Sequence, residues 1–447
     1  MRIAIGVHHF PPRFRGGAEQ RALRTAQALQ RRGHSVRVIT VDDPYSGPES
    51  GVEWEDDIHE GVQVRRLRLN LNAAPDPFRF EYDNPWIGDH LRSWLQEVTP
   101  DLFHLFSGYI LSGRALHVAH ELAIPSVVSV TDYWFLCRKL TLLRNDGSIS
   151  ELPVDPQQCA RCFAEETRRY QWPARIAPRV MDWYWSARKG AGDRFRARNE
   201  FLLGALGLAD AIISPSHFVR DALVQAGVED ARIRFARQGS ERPLSTANDK
   251  EPSNELRITY MGQIAPHKGV HVAVQALSLL PSRRIRLRVY GNADQFPDYV
   301  RRLHAMMEKD PRCEILPQYG KQDLGRILRE SDVVVVPSMW YENSPNVLLE
   351  AFQHHTPVLA TNLGGMAELV EHGHNGLLFA MGDATDLAQQ IRRLMDEPGL
   401  LAQLAANAPA LPSLEQEIDA LEEVYDHANT ARAAIGATGA TLVRVRV

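Results

Sequence analysis

Four consecutive valines, Val333–Val336, stand between Asp332 and the pair Pro337-Ser338. A strand with one wet face alternates apolar and polar residues, so an unbroken β-branched run predicts a strand covered on both faces. Two-sided burial is the condition of a parallel sheet clothed by helices and argues against an open antiparallel sheet. The same pattern recurs along the chain. RIAIGV (2–7), SVRVITV (35–41), DLFHLF (101–106), PSVVSVT (125–131) and AIISPS (211–216) read as strands, and 17–32 and 111–123 between them have helical apolar spacing. After the polar stretch PLSTANDKEPSN (243–254) the pattern restarts with LRITYMG (256–262), IRLRVYG (285–291), CEILP (313–317), DVVVVPS (332–338) and PVLAT (356–360). This alternation predicts doubly wound parallel sheets, and the polar interruption predicts two of them. The expectation is an α/β chain of two Rossmann-like domains, 1–245 and 246–412, facing across a cleft at the carboxyl ends of their strands, where such sheets bind ligands. Residues 133–200 carry little strand pattern and read as an insertion in the first domain. Residues 413–434 read as a terminal helix capped by Ser413 and packing back on the first domain, with a tail running to 447.

A length of 447 residues accommodates two such domains. Hydrophobic residues at 44% and charged residues at 24% exclude a disordered chain, and no apolar run approaches the length of a bilayer span. The net charge of −4 does not suggest a nucleic-acid binder. The four cysteines, Cys137, Cys159, Cys162 and Cys313, are too few for a disulfide scaffold and fit a reducing compartment. The opening MRIAIGVHHFPP reads as a first strand rather than as the h-region of a signal peptide, so the expected setting is the cytoplasm.

Past the valine strand the chain runs through Met339–Tyr341 to Glu342, and Ser344-Pro345 is a helix-start signal, Ser as cap and Pro as first helical residue. Leu348, Ala351 and Phe352 then share a core face, while Asn346, Glu350 and His354 share another. First-turn amides make an anion site. Carboxylates beside an anion repel it unless they accept from neutral hydroxyls, which a sugar on one side of a diphosphate and a ribose on the other would supply. The plain alternative is a loop charge at Glu342 and a solvated Glu350, and spacing alone does not separate the two. Lys268, in the loop QIAPHKG (263–269) after LRITYMG, stands where a point charge can neutralise phosphate, or is a surface lysine. Gly16-Gly17 opens the first helix and allows close backbone approach to an anion; Gly364-Gly365 in NLGGMAEL (362–369) repeats the device or forms a turn. Neither first strand is followed by Gly-x-Gly-x-x-Gly, which argues against a nicotinamide dehydrogenase.

The ordered set PPRFRGGAE (11–19), RGHSVRVIT (32–40), GQIAPHKGV (262–270), DVVVVPS (332–338), ENSPNVLLEAF (342–352) and TNLGGMAELVEHGHNGLLF (361–379) resembles the family 4 glycosyltransferases, retaining enzymes of the GT-B class. The resemblance implies that Glu342 and Glu350 are the acids of the family's Glu-x7-Glu motif, the first contacting the donor sugar and the second the nucleotide ribose. It further implies that Lys268 holds the diphosphate, that amides near Asn343 and Ser344 contact sugar or diphosphate, and that Gly17 approaches the phosphate when the cleft closes. Gln263 stands where the family often has Arg, which leaves more of the leaving-group charge to Lys268 and the amides. The chain has no Asp-x-Asp, in keeping with metal-independent chemistry and no required cofactor.

A narrower resemblance, on PSVVSVTDYWFLCRKLTLLRNDG (125–147) and CARC (159–162), is to a branch found in bacterial polysaccharide assembly. It makes Asp132 the first-domain candidate for sugar or acceptor, with Thr131 where the branch often has His. Cys137, Cys159 and Cys162 match three of that branch's four cysteines and Ser150 stands at the fourth; three thiolates make a poor structural zinc site, and reduced, metal-free thiols are the expectation. Residues 168–198 hold nine Lys or Arg against two Asp, with three Trp and two Tyr, a composition suited to peripheral contact with an anionic membrane or to a helix packing its aromatics inward. The resulting expectation is a retaining glycosyltransferase moving a sugar from a UDP- or GDP-linked donor to a glycan or lipid-linked acceptor in cell-surface polysaccharide synthesis, cytoplasmic or peripheral on the inner face of the plasma membrane. Two alternatives stay open: a nucleotide-sugar epimerase of the same fold, and a non-catalytic sugar-nucleotide-binding subunit.

Overall fold

The computed structural model describes residues 1–14, 16–239, 250, 253–308 and 310–443, with the backbone alone at 189 and 433–443. The chain forms two compact units: Met1–Arg237 together with the chain from Glu415 onward, and Gln238–Leu414. The boundary expected near residue 245 lies outside the described residues.

The strands of the first unit are β1 (Arg2–Val7), β2 (Ser35–Asp43), β3 (Glu53–His59), β4 (Val62–Arg68), β5 (Leu102–Phe106), β6 (Ser126–Ser129), β7 (Ala211–Ser214) and β8 (Ile233–Phe235). They form one sheet in the order β3-β4-β2-β1-β5-β6-β7-β8. Every pair is parallel except β3 with β4, so the expected all-parallel sheet carries an antiparallel edge strand. β3, β4 and β8 have no counterpart among the expected strands. β3 reads EWEDDIH and is almost wholly exposed. β4 buries Arg65 and Arg66, which are neutralised by Asp56 and Glu97 and by Asp42 and Asp57, so charge pairing replaces the apolar alternation that marks a strand.

Between β6 and β7 the described chain is helical over Pro156–Ala164, Arg168–Ile176, Pro178–Ala187 and Asp193–Leu208. The last helix, Leu414–Val443, seats Ile418, Leu421, Tyr425 and Ala428 fully out of solvent in the first unit. Arg21 donates to Glu417 at 2.7 Å, and the Tyr425 hydroxyl lies 2.7 Å from Nδ1 of buried His104.

The second unit contains β9 (Leu256–Met261), β10 (Ile285–Tyr290), β11 (Cys313–Leu316), β12 (Val333–Val336), β13 (Val358–Thr361) and β14 (Gly376–Phe379), all parallel, in the order β11-β10-β9-β12-β13-β14. β14 was not foreseen; a four-residue GLLF is too short to announce a strand by periodicity. The valine run behaves as its composition demands. Val333 and Val335 enter a core with Val270, Leu277 and Ile391, whereas Val334 and Val336 enter the opposite core with Leu348, Phe352 and Met366. Both faces of β12 are dry because helices cover each side. From β9 the winding turns one way to β10 and the other way to β12, so a topological switch point lies between the carboxyl ends of β9 and β12.

Candidate active site

The switch point explains why two residues far apart in sequence meet. Lys268 follows β9 and Glu342 follows β12, its neighbour in the sheet, so their loops leave the same edge side by side. Two features fasten the loops together. The Met339 amide donates to the His267 carbonyl at 2.8 Å. Gly269, at φ +71°, lies so close to the carbonyl of Pro337 that a Cβ there would sit 1.8 Å from the oxygen. Lys268 Nζ then donates to Glu342 Oε1 at 2.7 Å and lies 5.0 Å from the centre of the Trp340 ring.

Glu342 is 6% exposed, and its charge is met on one side only. Lys268, the Ser338 hydroxyl (2.7 Å) and the Trp340 indole N–H (2.8 Å) all donate to Oε1. No side-chain or backbone donor among the described residues reaches Oε2. The Lys268 ammonium has three protons, of which this arrangement uses one. The pair can therefore hold itself together while Oε2 accepts from a ligand hydroxyl and the ammonium donates to a ligand anion. The surroundings register both charges: burial and then Lys268 push the neighbouring His267 down to about 4, and burial with the Glu342 charge drives Tyr260 far above the ordinary phenol range.

Beyond Glu342 the loop carries an unusual deficit. Asn343 is 7% exposed, yet neither its side-chain oxygen nor its nitrogen has a partner, and the buried Ser344 hydroxyl has none either. Buried polar atoms are normally bonded, so three unpaired ones together are unusual. Gly365 braces this loop. Its amide donates to the Glu342 carbonyl at 2.9 Å, and a Cβ on it would lie 2.0 Å from the Asn343 carbonyl oxygen. Gly364, at φ +52°, packs on Tyr341, whose ring would lie 3.0 Å from a Cβ there. The Gly364-Gly365 pair lets its loop touch the Tyr341–Asn343 loop.

The helix start differs from expectation. The helix spans Asn346–Gln353 with Pro345 in the cap position (φ −67°, ψ 122°), and no side chain caps it. Ser344 is not the cap: its hydroxyl bonds none of the first-turn amides and remains unpaired. Gln238 instead donates to Asn346 Oδ1 and, at 3.4 Å, to the Ser344 carbonyl. Glu350 lies half-buried one turn in, where burial and its charge together raise the Tyr319 hydroxyl above the phenol range. Gln263 keeps its backbone carbonyl on the Tyr260 hydroxyl at 2.6 Å.

In the first unit the analogous edge gathers a second group. His8 directly follows β1, Ser107 follows β5, and Asp132 stands a few residues past β6. Ser107 donates to Asp132 Oδ2 at 2.7 Å and the Trp134 amide to Oδ1 at 2.8 Å. Glu19, in the first turn of the helix Gly17–Arg31, places Oε1 3.4 Å from His8 Nε2. Burial opposes charge on His8, but the hydrogen bond and charge of Glu19 and the charge of Asp132 outweigh it and raise the imidazole pKa. Burial likewise opposes ionisation of Glu19, and His8 more than offsets it, so that carboxyl is lowered; Asp132 is raised by burial. A Cβ on Gly16 would lie 2.5 Å from Glu19 Oε2, so the space beside Gly16 is filled by that carboxylate. Sequence reasoning missed His8, Glu19 and Ser107, along with Ser338 and Trp340. The signal available for the first and third was position, immediately after the strands flanking a switch point.

Cys137 is buried and Cys159 and Cys162 half-buried, all as free thiols. Burial, with Cys137 nearby, pushes the Cys159 thiol up to about 12. Among the described residues no group of three or more His, Cys, Asp or Glu side chains is arranged to hold a metal ion.

Two Rossmann-like α/β units with parallel sheets are the architecture of the GT-B glycosyltransferases. A family model described as glycosyltransferase family 4 matches residues 15–239, just over half of the chain, and one described as glycosyl transferases group 1 matches 255–397. The chain belongs to glycosyltransferase family 4. The D-inositol 3-phosphate glycosyltransferase of Rhodococcus jostii (strain RHA1) is 34% identical over 237 residues, covering 48% of this chain and 52% of that protein. The chain thus spans about half the length of that relative. A glycogen synthase of Mycobacterium tuberculosis (strain H37Rv) is 24% identical over 409 residues, 89% of this chain and 87% of its own. In fold, the chain is similar to Anabaena HepE in complex with UDP and glucose (TM-score 0.63, 18% identity, 95% of this chain and 99% of that one). It is also similar to the lipopolysaccharide outer core galactosyltransferase WaaB (TM-score 0.58, 11% identity, 95% and 99%).

Proposed function

We propose that the chain is a retaining glycosyltransferase that takes a sugar from a nucleoside-diphosphate donor, UDP- or GDP-linked, and passes it to a hydroxyl of a glycan or lipid-linked acceptor in the building of a cell-surface polysaccharide. The single observation that carries this reading is the Lys268–Glu342 pair, which leaves Oε2 and two ammonium protons free beside the unpaired polar atoms of Asn343 and Ser344. In the reaction, the bond from the anomeric carbon to the diphosphate oxygen breaks, and one from that carbon to the acceptor oxygen forms. The leaving diphosphate takes the bond's electron pair and the acceptor proton. Negative charge grows on the diphosphate, and Lys268 is the fixed cation placed to meet it. Glu342 Oε2 is suited to accept from a sugar hydroxyl, Asn343 and Ser344 to complete the sugar or diphosphate contacts, and Glu350 beside Tyr319 to accept from the ribose. The relatives support a nucleotide-linked donor: HepE and one trehalose-6-phosphate structure are bound to UDP or UDP-sugars. Neither a metal ion nor a cofactor enters this scheme.

The test is a thermal-shift screen against UDP-, GDP-, ADP- and TDP-sugars, with wild type, Glu350→Ala and Lys268→Ala. One nucleotide class at a hundred times its dissociation constant should stabilise the wild type by about 2.7 kcal/mol. Glu350→Ala should abolish that selectivity, and Lys268→Ala should slow donor turnover by roughly 10²–10³-fold. Stabilisation with no loss in either variant would sink the assignment of this site. Epimer formed from donor alone would replace transfer by epimerisation.

A further inference from the structure

Of the five most exposed large apolar side chains among the described residues, four fall within one short stretch: Trp172 (68% exposed), Ile176 (73%), Val180 (60%) and Trp183 (70%). They belong to the helices Arg168–Ile176 and Pro178–Ala187 inserted between β6 and β7. The chain breaks at Ala177 (φ −134°, ψ 63°) and Pro178 starts the second helix. The two helices fold back on each other, with the Tyr170 ring 5.6 Å from that of Trp185 and 6.3 Å from that of Tyr184. Met181 and Trp185 form the buried face of the second helix, Gln157 donates to the Trp185 carbonyl at 2.7 Å, and Asp182 is paired with Arg161. The hairpin is therefore anchored on its inner side, and its apex, 176–180, carries Ile176 and Val180 outward with a tryptophan on each arm.

The charge on this hairpin is as one-sided as its hydrophobicity. Arg168, Arg169, Arg175, Arg179 and Arg188 are exposed, and none has an ion-pair partner among the described residues. The acids nearby are already taken: Asp182 and Glu165 by Arg161, Glu166 by Arg138. Exposed tryptophans and aliphatics at the tip of a hairpin, flanked by unpaired arginines with no free acid, are complementary to a surface that is negative outside and apolar just beneath. No helix among the described residues is long and apolar enough to cross a membrane. We propose that the hairpin 168–187 docks the protein on an anionic phospholipid surface, with Trp172, Ile176, Val180 and Trp183 entering the headgroup layer and the arginines meeting lipid phosphates. This inference stands on the hairpin alone and holds whatever the chain's reaction is.

The test is co-sedimentation of the full chain with vesicles of phosphatidylglycerol and phosphatidylcholine, and with phosphatidylcholine alone. The wild type should bind the anionic vesicles, release at high salt, and ignore the neutral ones. Arg175→Ala with Arg179→Ala should weaken binding by about 25-fold, roughly five-fold per arginine. Trp172→Ser with Trp183→Ser should also release the protein, and, being exposed, both double variants should keep the wild-type melting temperature and far-UV dichroism. Wild type that stays in the supernatant with anionic vesicles, or variants that sediment like wild type, would overturn the proposal. So would a wild-type dimer, seen by light scattering, that the tryptophan variant converts to monomer, since the face would then be covered by a second copy of the chain.

Discussion

Gly269 shows how a residue without chemistry sets the site. Its φ of +71° is one that side chains resist, and the Pro337 carbonyl occupies the place of its Cβ at 1.8 Å. An alanine there adds strain of about 1–3 kcal/mol from the backbone and must also push β12's loop off β9's. Gly269→Ala is therefore expected to lower the melting temperature and to separate Lys268 from Glu342, so donor affinity should fall by more than 10-fold even at temperatures where the protein stays folded. A variant that melts earlier but binds donor like wild type would show that the loop contact does not position Lys268. The meeting of Lys268 and Glu342 was approachable from the sequence because the loops that follow neighbouring strands of a parallel sheet leave the same edge. Gly269 was not, since its need for a bare Cα is imposed by a carbonyl far along the chain. The convergence of Lys268, Ser338 and Trp340 on one oxygen was equally hidden: pattern gives the neighbourhood of Glu342, and only packing gives its bonds.

The turn from β1 into the helix Gly17–Arg31 couples His8 to Glu19, and that pair makes a pH prediction. The folded state raises the His8 pKa, so its stabilisation is fully present below the unfolded value near 6.5 and is lost as pH rises through the folded value above it. The Glu19 carboxyl is lowered, so its share is present above the unfolded value and is lost as pH falls through the folded one. Asp132, raised by burial, adds stability below its unfolded value that is lost as pH rises through its folded value. The neighbouring His9 is lowered, chiefly by burial. The pair should thus contribute most on the mildly acidic side of neutrality. Glu19→Gln should destabilise the protein more at pH 6 than at pH 8.5 in denaturant titrations, and an equal loss at both would show that His8 carries no charge in the fold. The strands that sequence missed follow one rule. β3 and β4 are held by Arg–carboxylate pairs across their faces, and β8 and β14 are three and four residues long. None offers the apolar periodicity by which β1, β9 or β12 declares itself.

Both sheets wind outward from a central first strand, and polar groups gather past the carboxyl ends of strands at or next to each reversal: His8 after β1, Ser107 after β5 and Asp132 after the adjacent β6 in one unit, Lys268 after β9 and Glu342 after β12 in the other. The two doubly wound sheets were foreseeable from the alternation of strands and helices, but His8 and Ser107 beside the first reversal were not. The closing of the first unit by the last helix was foreseeable only as an apolar stripe, and its polar half was not. Arg21 and Glu417 have side chains 3% and 1% exposed and meet at 2.7 Å, while His104, held neutral by burial, lies between the Tyr425 hydroxyl and the Ser129 hydroxyl at 2.7 and 2.9 Å. A buried ion pair adds little over an apolar one, but removing one partner strands the other's charge at about 3–5 kcal/mol. Glu417→Ala should cost the first unit that much. Tyr425→Phe, which leaves His104 Nδ1 unbonded, should cost about 1–3 kcal/mol. Because Lys268, Glu342 and Glu350 all belong to the second unit, nucleotide-sugar affinity at 20–25 °C should be retained in both variants. Calorimetry alongside donor titration separates the cases. A Glu417→Ala protein with wild-type stability would show that Arg21 finds another acceptor, and a fall in donor affinity would show that the terminal helix supports the second unit as well as the first.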